Sequence, residues 1–121
     1  MIPNKPDHPF VYWATYSYIG GEMLKAGATV YIYQKGFLHA KMIVVDNKIA
    51  SVGTANIDVR SFRLNFEVNA FLYNETLAEI LVDEFKKDME DVTQLTYSLY
   101  QQRSTWIRFK ESIARLISPI L

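Results

Sequence analysis

The sequence predicts an α/β fold, a mixed sheet flanked by helices, and three observations carry that expectation. Short runs rich in β-branched and aromatic residues recur along the first two thirds of the chain, and such runs fit a pleated, half-buried surface. Between and after them lie longer stretches whose apolar residues return at helical spacing. Half of the 121 residues are apolar, with 8 Tyr, 7 Phe and 2 Trp, which is ample for a packed core and argues against disorder. A chain of this size makes one compact domain, expected over residues 1–121 with helices appended at about 93–121.

Taken in order, residues 1–9 hold Pro3, Pro6 and Pro9 and read as an extended lead-in loop. Residues 10–26 are proline-free and predict a helix that stops at Lys25-Ala26-Gly27, with a kink at Gly20-Gly21. Residues 28–33 (A-T-V-Y-I-Y) read as a buried strand. Residues 38–45 and 48–52 read as two strands closed into a hairpin by Asp46-Asn47. Residues 67–73 make a further strand, and Asn74 caps a helix over 75–91 with Thr76, Leu77, Ile80, Leu81 and Phe85 at helical spacing. A polar helical piece is expected after Thr93. Trp106, Phe109, Ile113, Leu116, Ile117 and Ile120 then fall on one helical face.

Composition narrows the chemistry. Thirteen basic residues balance thirteen acidic ones, so no nucleic-acid partner is expected, because such binding needs clustered positive charge. Without cysteine, neither a disulfide nor a thiolate zinc site can form, and the two histidines, His8 and His39, are too few for a multi-histidine site. Metal-free chemistry with no cofactor is the expectation. No stretch approaches the roughly 18–20 apolar residues of a membrane span, and residues 1–7 do not read as a signal peptide. The chain is expected to be soluble or peripheral.

The segment F-L-H-A-K-M-I-V-V-D carries the chemistry. In a regular strand, residues two apart leave the same face, so His39 and Lys41 would point together. An imidazole beside an ammonium suits an anion: Lys41 compensates phosphate charge while His39 acts as nucleophile or proton carrier. Asp46, seven residues after His39, belongs at the hairpin turn in a mainly structural role. Gly53 at the end of a strand lets backbone approach a ligand, and Thr54 and Asn56 offer neutral donors to phosphoryl oxygens. Glu67 opens an otherwise apolar run, where its carboxylate could hold the other imidazole nitrogen of His39.

At these residues the chain resembles the phospholipase D superfamily, whose signature is H-x-K-x-x-x-x-D followed by G-T-x-N, the HKD motif. The wording P-N-K-P-D-H, the block G-T-A-N-I-D-V-R-S-F-R-L-N-F-E-V-N-A and the ending W-I-R-F-K-E-S are similar to the cardiolipin synthases of Gram-positive bacteria. The resemblance covers essentially the whole chain. It implies a phospholipase D-like mixed sheet forming one HKD half, the second half of a longer enzyme that carries two motifs and N-terminal membrane helices. His39, Lys41, Asp46 and Glu67 would be its catalytic residues, and Lys41, Thr54 and Asn56 would bind substrate phosphate. The implied reaction moves a phosphatidyl group from one phosphatidylglycerol to another through a phosphatidyl-histidine intermediate, giving cardiolipin and glycerol. The implied partners are phosphatidylglycerol, an anionic membrane surface, and the upstream half or a second copy of the chain; the implied location is the cell membrane. Left open are a homodimeric single-motif phosphodiesterase, nuclease or phospholipase D, and an inactive fragment lacking the first motif.

Other features have plainer readings. His8 lies in the proline-rich loop and belongs to the surface. Arg60 and Arg63 either meet a lipid head group or pair within a solvated loop alongside Asp58 and Ser61. Tyr12, Trp13, Tyr16 and Tyr18 suit a core better than a lipid-contacting wall. Arg103, Arg108, Lys110 and Arg115 against Glu111 alone make a basic amphipathic stretch, which either lies on an anionic membrane or packs its apolar face on the domain.

Overall fold

The computed structural model describes residues 1–4 and 9–117; Pro6, His8 and Ile120 lie outside them. In chain order the elements are β1 (Ile2–Pro3), α1 (Pro9–Tyr18), a π-helical turn (Ile19–Met23), β2 (Val30–Tyr33), β3 (Met42–Val45), β4 (Ile49–Gly53) and α2 (Val59–Arg63). There follow β5 (Asn69–Leu72), α3 (Glu75–Asp88), a 3-10 turn (Met89–Asp91), β6 (Val92–Leu95), α4 (Tyr97–Gln101) and α5 (Thr105–Ile117). The chain is mixed α/β, with two three-stranded sheets flanked by helices. Its internal contacts fall into two compact units, Met1–Leu38 with Asp91–Leu121, and His39–Glu90.

The first unit is built on the sheet β1-β2-β6, with β1 parallel and β6 antiparallel to β2. Two expectations change here. Residues 2–3 are a strand within the lead-in segment, and residues 92–95 are a strand where a helical piece was expected. Both short segments take strand geometry because β2 offers them backbone partners, Ile2 opposite Ile32 and Leu95 opposite Val30. Pro9 is the first helical residue of α1, a position where its missing N–H is not needed.

The expected kink at Gly20-Gly21 is the π-helical turn. A Cβ at Gly20 would stand 2.1 Å from the Tyr100 ring, so only glycine lets that ring lie against the helix. Tyr100 also donates its hydroxyl to the Ser17 carbonyl at 3.2 Å. With Val30 and Leu95 it forms the core, joined by Ile2, Tyr16, Ile19, Leu24 and Ile32. The helical run ends at Gly27, as expected, with the Ala28 N–H donating to the Met23 carbonyl at 3.0 Å. Arg103 closes this unit. Its guanidinium lies 3.2 Å from the Tyr100 ring centroid, and it pairs with buried Glu111. Burial pushes the Glu111 carboxyl above its usual range while the Arg103 charge opposes that rise.

The second unit is an antiparallel meander, β3-β4-β5. Cross-strand register puts Val44, Ala50 and Leu72 on one side and Ile43, Ser51 and Phe71 on the other. Helix α3 packs on β3 and β4, where fully buried Ala78 and Ala50 permit close approach. Its start is the expected one, since the Asn74 side chain accepts from the Leu77 N–H at 3.0 Å. On the opposite side Ile43, Val45, Phe71 and Tyr73 are exposed, while Ser51 is buried.

Candidate active site

The hairpin sets the geometry. Asp46 and Asn47 have φ of 50° and 55°, the left-handed backbone a two-residue type I′ turn requires at both positions. The Lys48 N–H donates to the Val45 carbonyl at 3.0 Å and closes it. Asp46 therefore stands at the turn. Five residues of extended chain separate it from Lys41, about 16 Å at 3.3 Å per residue, so the structure does not bring the third motif residue to the other two.

At the other end of the hairpin, the strand expected from residue 38 begins only at Met42. His39 and Lys41 lie in the segment leading into it. The physical reason is the neighbour: among the described residues β3 pairs only with β4, and β4 ends at Gly53. Pairing reaches as far as Lys41, whose carbonyl accepts from the Gly53 N–H at 3.1 Å. Lys41 then turns its Nζ back to donate to the His39 carbonyl at 3.0 Å. The two motif residues are thus tied through main chain rather than by strand alternation.

Register sets Lys41, Gly53 and Asn69 in one cross-strand row. A Cβ on Gly53 would fall 2.2 Å from the Val68 carbonyl oxygen and 2.3 Å from Asn69 Oδ1. With no Cβ there, Asn69 reaches across the row: Oδ1 accepts from the Ala55 N–H at 3.2 Å, and Nδ2 donates to Ser51 Oγ at 3.0 Å. The G-T-x-N loop is held from this side by Asn69.

Ser61 holds it from the other. Asp58 caps α2 by accepting the Ser61 N–H at 2.7 Å, which fixes the serine in the first helical turn. Ser61 Oγ accepts from the Asn56 N–H at 3.1 Å and donates to Glu67 Oε1 at 2.8 Å. This hydroxyl is buried, at 7 % exposure. Thr54 Oγ1 accepts from the Val68 N–H at 2.9 Å. Its one proton has two acceptors, the Val68 carbonyl at a long 3.5 Å and the Glu67 carboxylate, of which an ionised carboxylate is the stronger. The Thr54 hydroxyl therefore has partners within the protein, and both Thr54 and Asn56 are exposed.

Glu67 collects these donors. Hydrogen bonds from Thr54 and Ser61 hold its carboxyl below the usual range; Asn65 and the positive charge of Lys41 add to them, and partial burial opposes. One end of the open sheet thus carries an ionised carboxylate, an ammonium and a braced loop. Such an arrangement can balance a transient charge on an imidazole or a phosphate without rearranging. Sequence reasoning gave no role to Ser61 or Asn69. The spacing D-x-x-S was a cap signal for Ser61. Asn69 shares the strand parity of Glu67 inside an apolar run, a weaker sign.

The family described as cardiolipin synthase, PLD-like domain, matches residues 1–89. Over all 121 residues the chain is 70% identical to the major cardiolipin synthase ClsA of Bacillus subtilis (strain 168). It is 69% identical to a cardiolipin synthase of Oceanobacillus iheyensis and 60% identical to one of Listeria innocua serovar 6a, again over all 121 residues. In each case the chain spans 25% of the relative's length. No solved structure matches the chain. With three quarters of its residues inside the matched family, the chain belongs to the cardiolipin synthase PLD-like domain family.

Proposed function

We propose that this chain is one HKD half of a cardiolipin synthase, with residues 1–121 acting as the second half of a two-motif catalytic core. The reaction is phosphatidyl transfer between two phosphatidylglycerol molecules. In the first step a motif histidine attacks phosphorus, a P–N bond forms, and the P–O bond to the head-group glycerol breaks as that glycerol takes a proton from the opposite motif. In the second, the same opposite group removes the proton from the terminal hydroxyl of another phosphatidylglycerol. The new P–O bond replaces P–N, giving cardiolipin and regenerating the histidine. Splitting the displacement lowers each barrier, and acid–base help is worth roughly 100- to 10,000-fold.

His39 is one of the two histidines this scheme needs, and the other comes from the upstream half. Lys41 offsets phosphate charge, and Asn56 offers its amide to a phosphoryl oxygen. Thr54 acts through the loop it braces, Glu67 supplies the negative charge that favours an imidazolium, and Asp46 shapes the hairpin. The observation that carries the reading is the gathering of Lys41 and Glu67 at the G-T-x-N loop, where buried Ser61 donates to the Glu67 carboxylate at 2.8 Å and the Lys41 charge helps to keep that carboxyl below its usual range. The identity to cardiolipin synthases over the whole chain supports it, and the nuclease and inactive-fragment readings find no such support. The substrate places the enzyme at the cell membrane, although no helix among the described residues is long and apolar enough to cross one.

The test joins the chain to its upstream half and supplies phosphatidylglycerol vesicles, with His39→Ala alongside. Cardiolipin plus free glycerol, both lost in the variant, is the expected result. Phosphatidic acid instead would make water the acceptor and the enzyme a lipase. No lipid turnover from the joined, folded protein would sink the proposal.

A further inference from the structure

Helix α5 is turned the opposite way from a core helix. Its side against the rest of its unit carries the buried residues Glu111 and Ala114, and α1 is its main neighbour. The large apolar residues that share a face in the sequence point away: Trp106 is 62 % exposed, Phe109 55 % and Leu116 81 %. Of the two arrangements the sequence left open, packing of this apolar face on the domain is not the one found among the described residues. The stripe continues onto α1 through a single cluster. Phe10 meets Trp13 edge to face at 5.4 Å, Trp106 stacks on Phe109 at 5.8 Å, and Lys110 lies 5.1 Å from Trp13 and 5.4 Å from Trp106.

Charge says what covers it. The only acidic residue of α5, Glu111, is turned inward to Arg103, while Arg108 stays exposed and Lys110 sits between the two tryptophans. A protein interface core is poor in charged residues and particularly in lysine. A bilayer interface collects tryptophan, phenylalanine and basic side chains together, the rings at head-group depth and the cations on lipid phosphates. At 13 residues the helix is about 20 Å long, too short to cross a hydrocarbon layer of about 30 Å. It can only lie along one.

We propose that the α5 stripe, with Phe10 and Trp13 of α1, is an in-plane docking surface for an anionic lipid bilayer. It presses Trp106, Phe109 and Leu116 into the interface while Arg108 and Lys110 meet lipid phosphates. The proposal rests on the cardiolipin synthase reading only for the choice of phosphatidylglycerol as the anionic lipid.

The experiment uses the whole enzyme on a cysteine-free background, reconstituted in bilayers, with a polarity-sensitive dye on single cysteines. Phe109→Cys and Leu116→Cys report the stripe, and Gln101→Cys reports an exposed site away from it. The expected result is a blue shift at both stripe positions, with quenching by brominated lipid. It should be stronger in phosphatidylglycerol than in phosphatidylcholine bilayers and absent at position 101. Dye that is blue-shifted at 109 and 116 but untouched by brominated lipid would mean that protein covers the stripe, and would overturn the proposal. Dye that stays in a watery environment would do so too. Separately, Trp106→Ser with Phe109→Ser should raise KM for vesicles about tenfold and leave kcat on a short-chain, water-dispersed substrate unchanged. The dye readout needs no turnover, so loss of the catalytic reading would leave it intact.

Discussion

Ser61 links three parts of the candidate site with one residue. Its amide completes the α2 cap on Asp58, its oxygen accepts from the loop at Asn56, and its proton goes to Glu67. Hydrogen bonds donated to a carboxylate favour the charged form and lower its pKa; removing one raises it. Glu67 starts below the usual range, so activity that needs it ionised should persist on acidification until pH falls through that lowered value. Ser61→Ala should move the acid limb of the pH–rate profile upward and cut kcat by about tenfold or more, since it also takes the acceptor from the half-buried Asn56 N–H that holds the loop. Ser61→Thr keeps the hydroxyl and should keep the limb. A fall in rate with no movement of the limb would reduce Ser61 to a structural role.

Among the elements, the π-helical turn sets two effects against each other. Alanine in place of a helical glycine ordinarily stabilises by about 1 kcal/mol. At Gly20 the added carbon would stand 2.1 Å from an aromatic ring, and forcing extra volume into a packed site costs about 1–3 kcal/mol. The clash should win, so Gly20→Ala should lower the melting temperature of the whole enzyme. A raised Tm would mean that Tyr100 does not sit against the helix as described. The Gly20-Gly21 weakness was readable in the sequence because it is local, as were the Asp46-Asn47 hairpin, the Asn74 cap and the stop at Gly27. Strands β1 and β6 were not readable. Ile2–Pro3 is two residues long, and V-T-Q-L is half polar; each is a strand only because β2 lies beside it, roughly 30 and 60 residues away in sequence. The same limit explains the site. Residue types and spacing marked His39, Lys41 and Glu67, but the ties of Ser61 and Asn69 to the loop come from chain turns that no periodicity encodes.

On the scale of the whole molecule, the described residues leave apolar side chains exposed on one side of the β3-β4-β5 sheet and along the outward stripe of α5. On that sheet side Phe71 and Tyr73 lie exposed beside Ile43 and Val45, a contiguous apolar patch of the kind that marks an interaction surface. The two compact units also differ in how the chain is used. His39–Glu90 is one continuous stretch, whereas the other unit joins Met1–Leu38 to Asp91–Leu121. A ribosome delivers residues in order. The hairpin that carries His39 and Lys41 needs only nearby chain and can close within microseconds of emerging, while β2 waits more than fifty residues for β6 to arrive. On a nascent chain arrested just past residue 90 and clear of the exit tunnel, the amides of Lys48 and Gly53 should already resist hydrogen exchange while those of Ile32 and Gln34, which face β6 and the turn before it, still exchange freely. The motif is thus assembled by a segment that matures before the unit on either side of it in sequence can close.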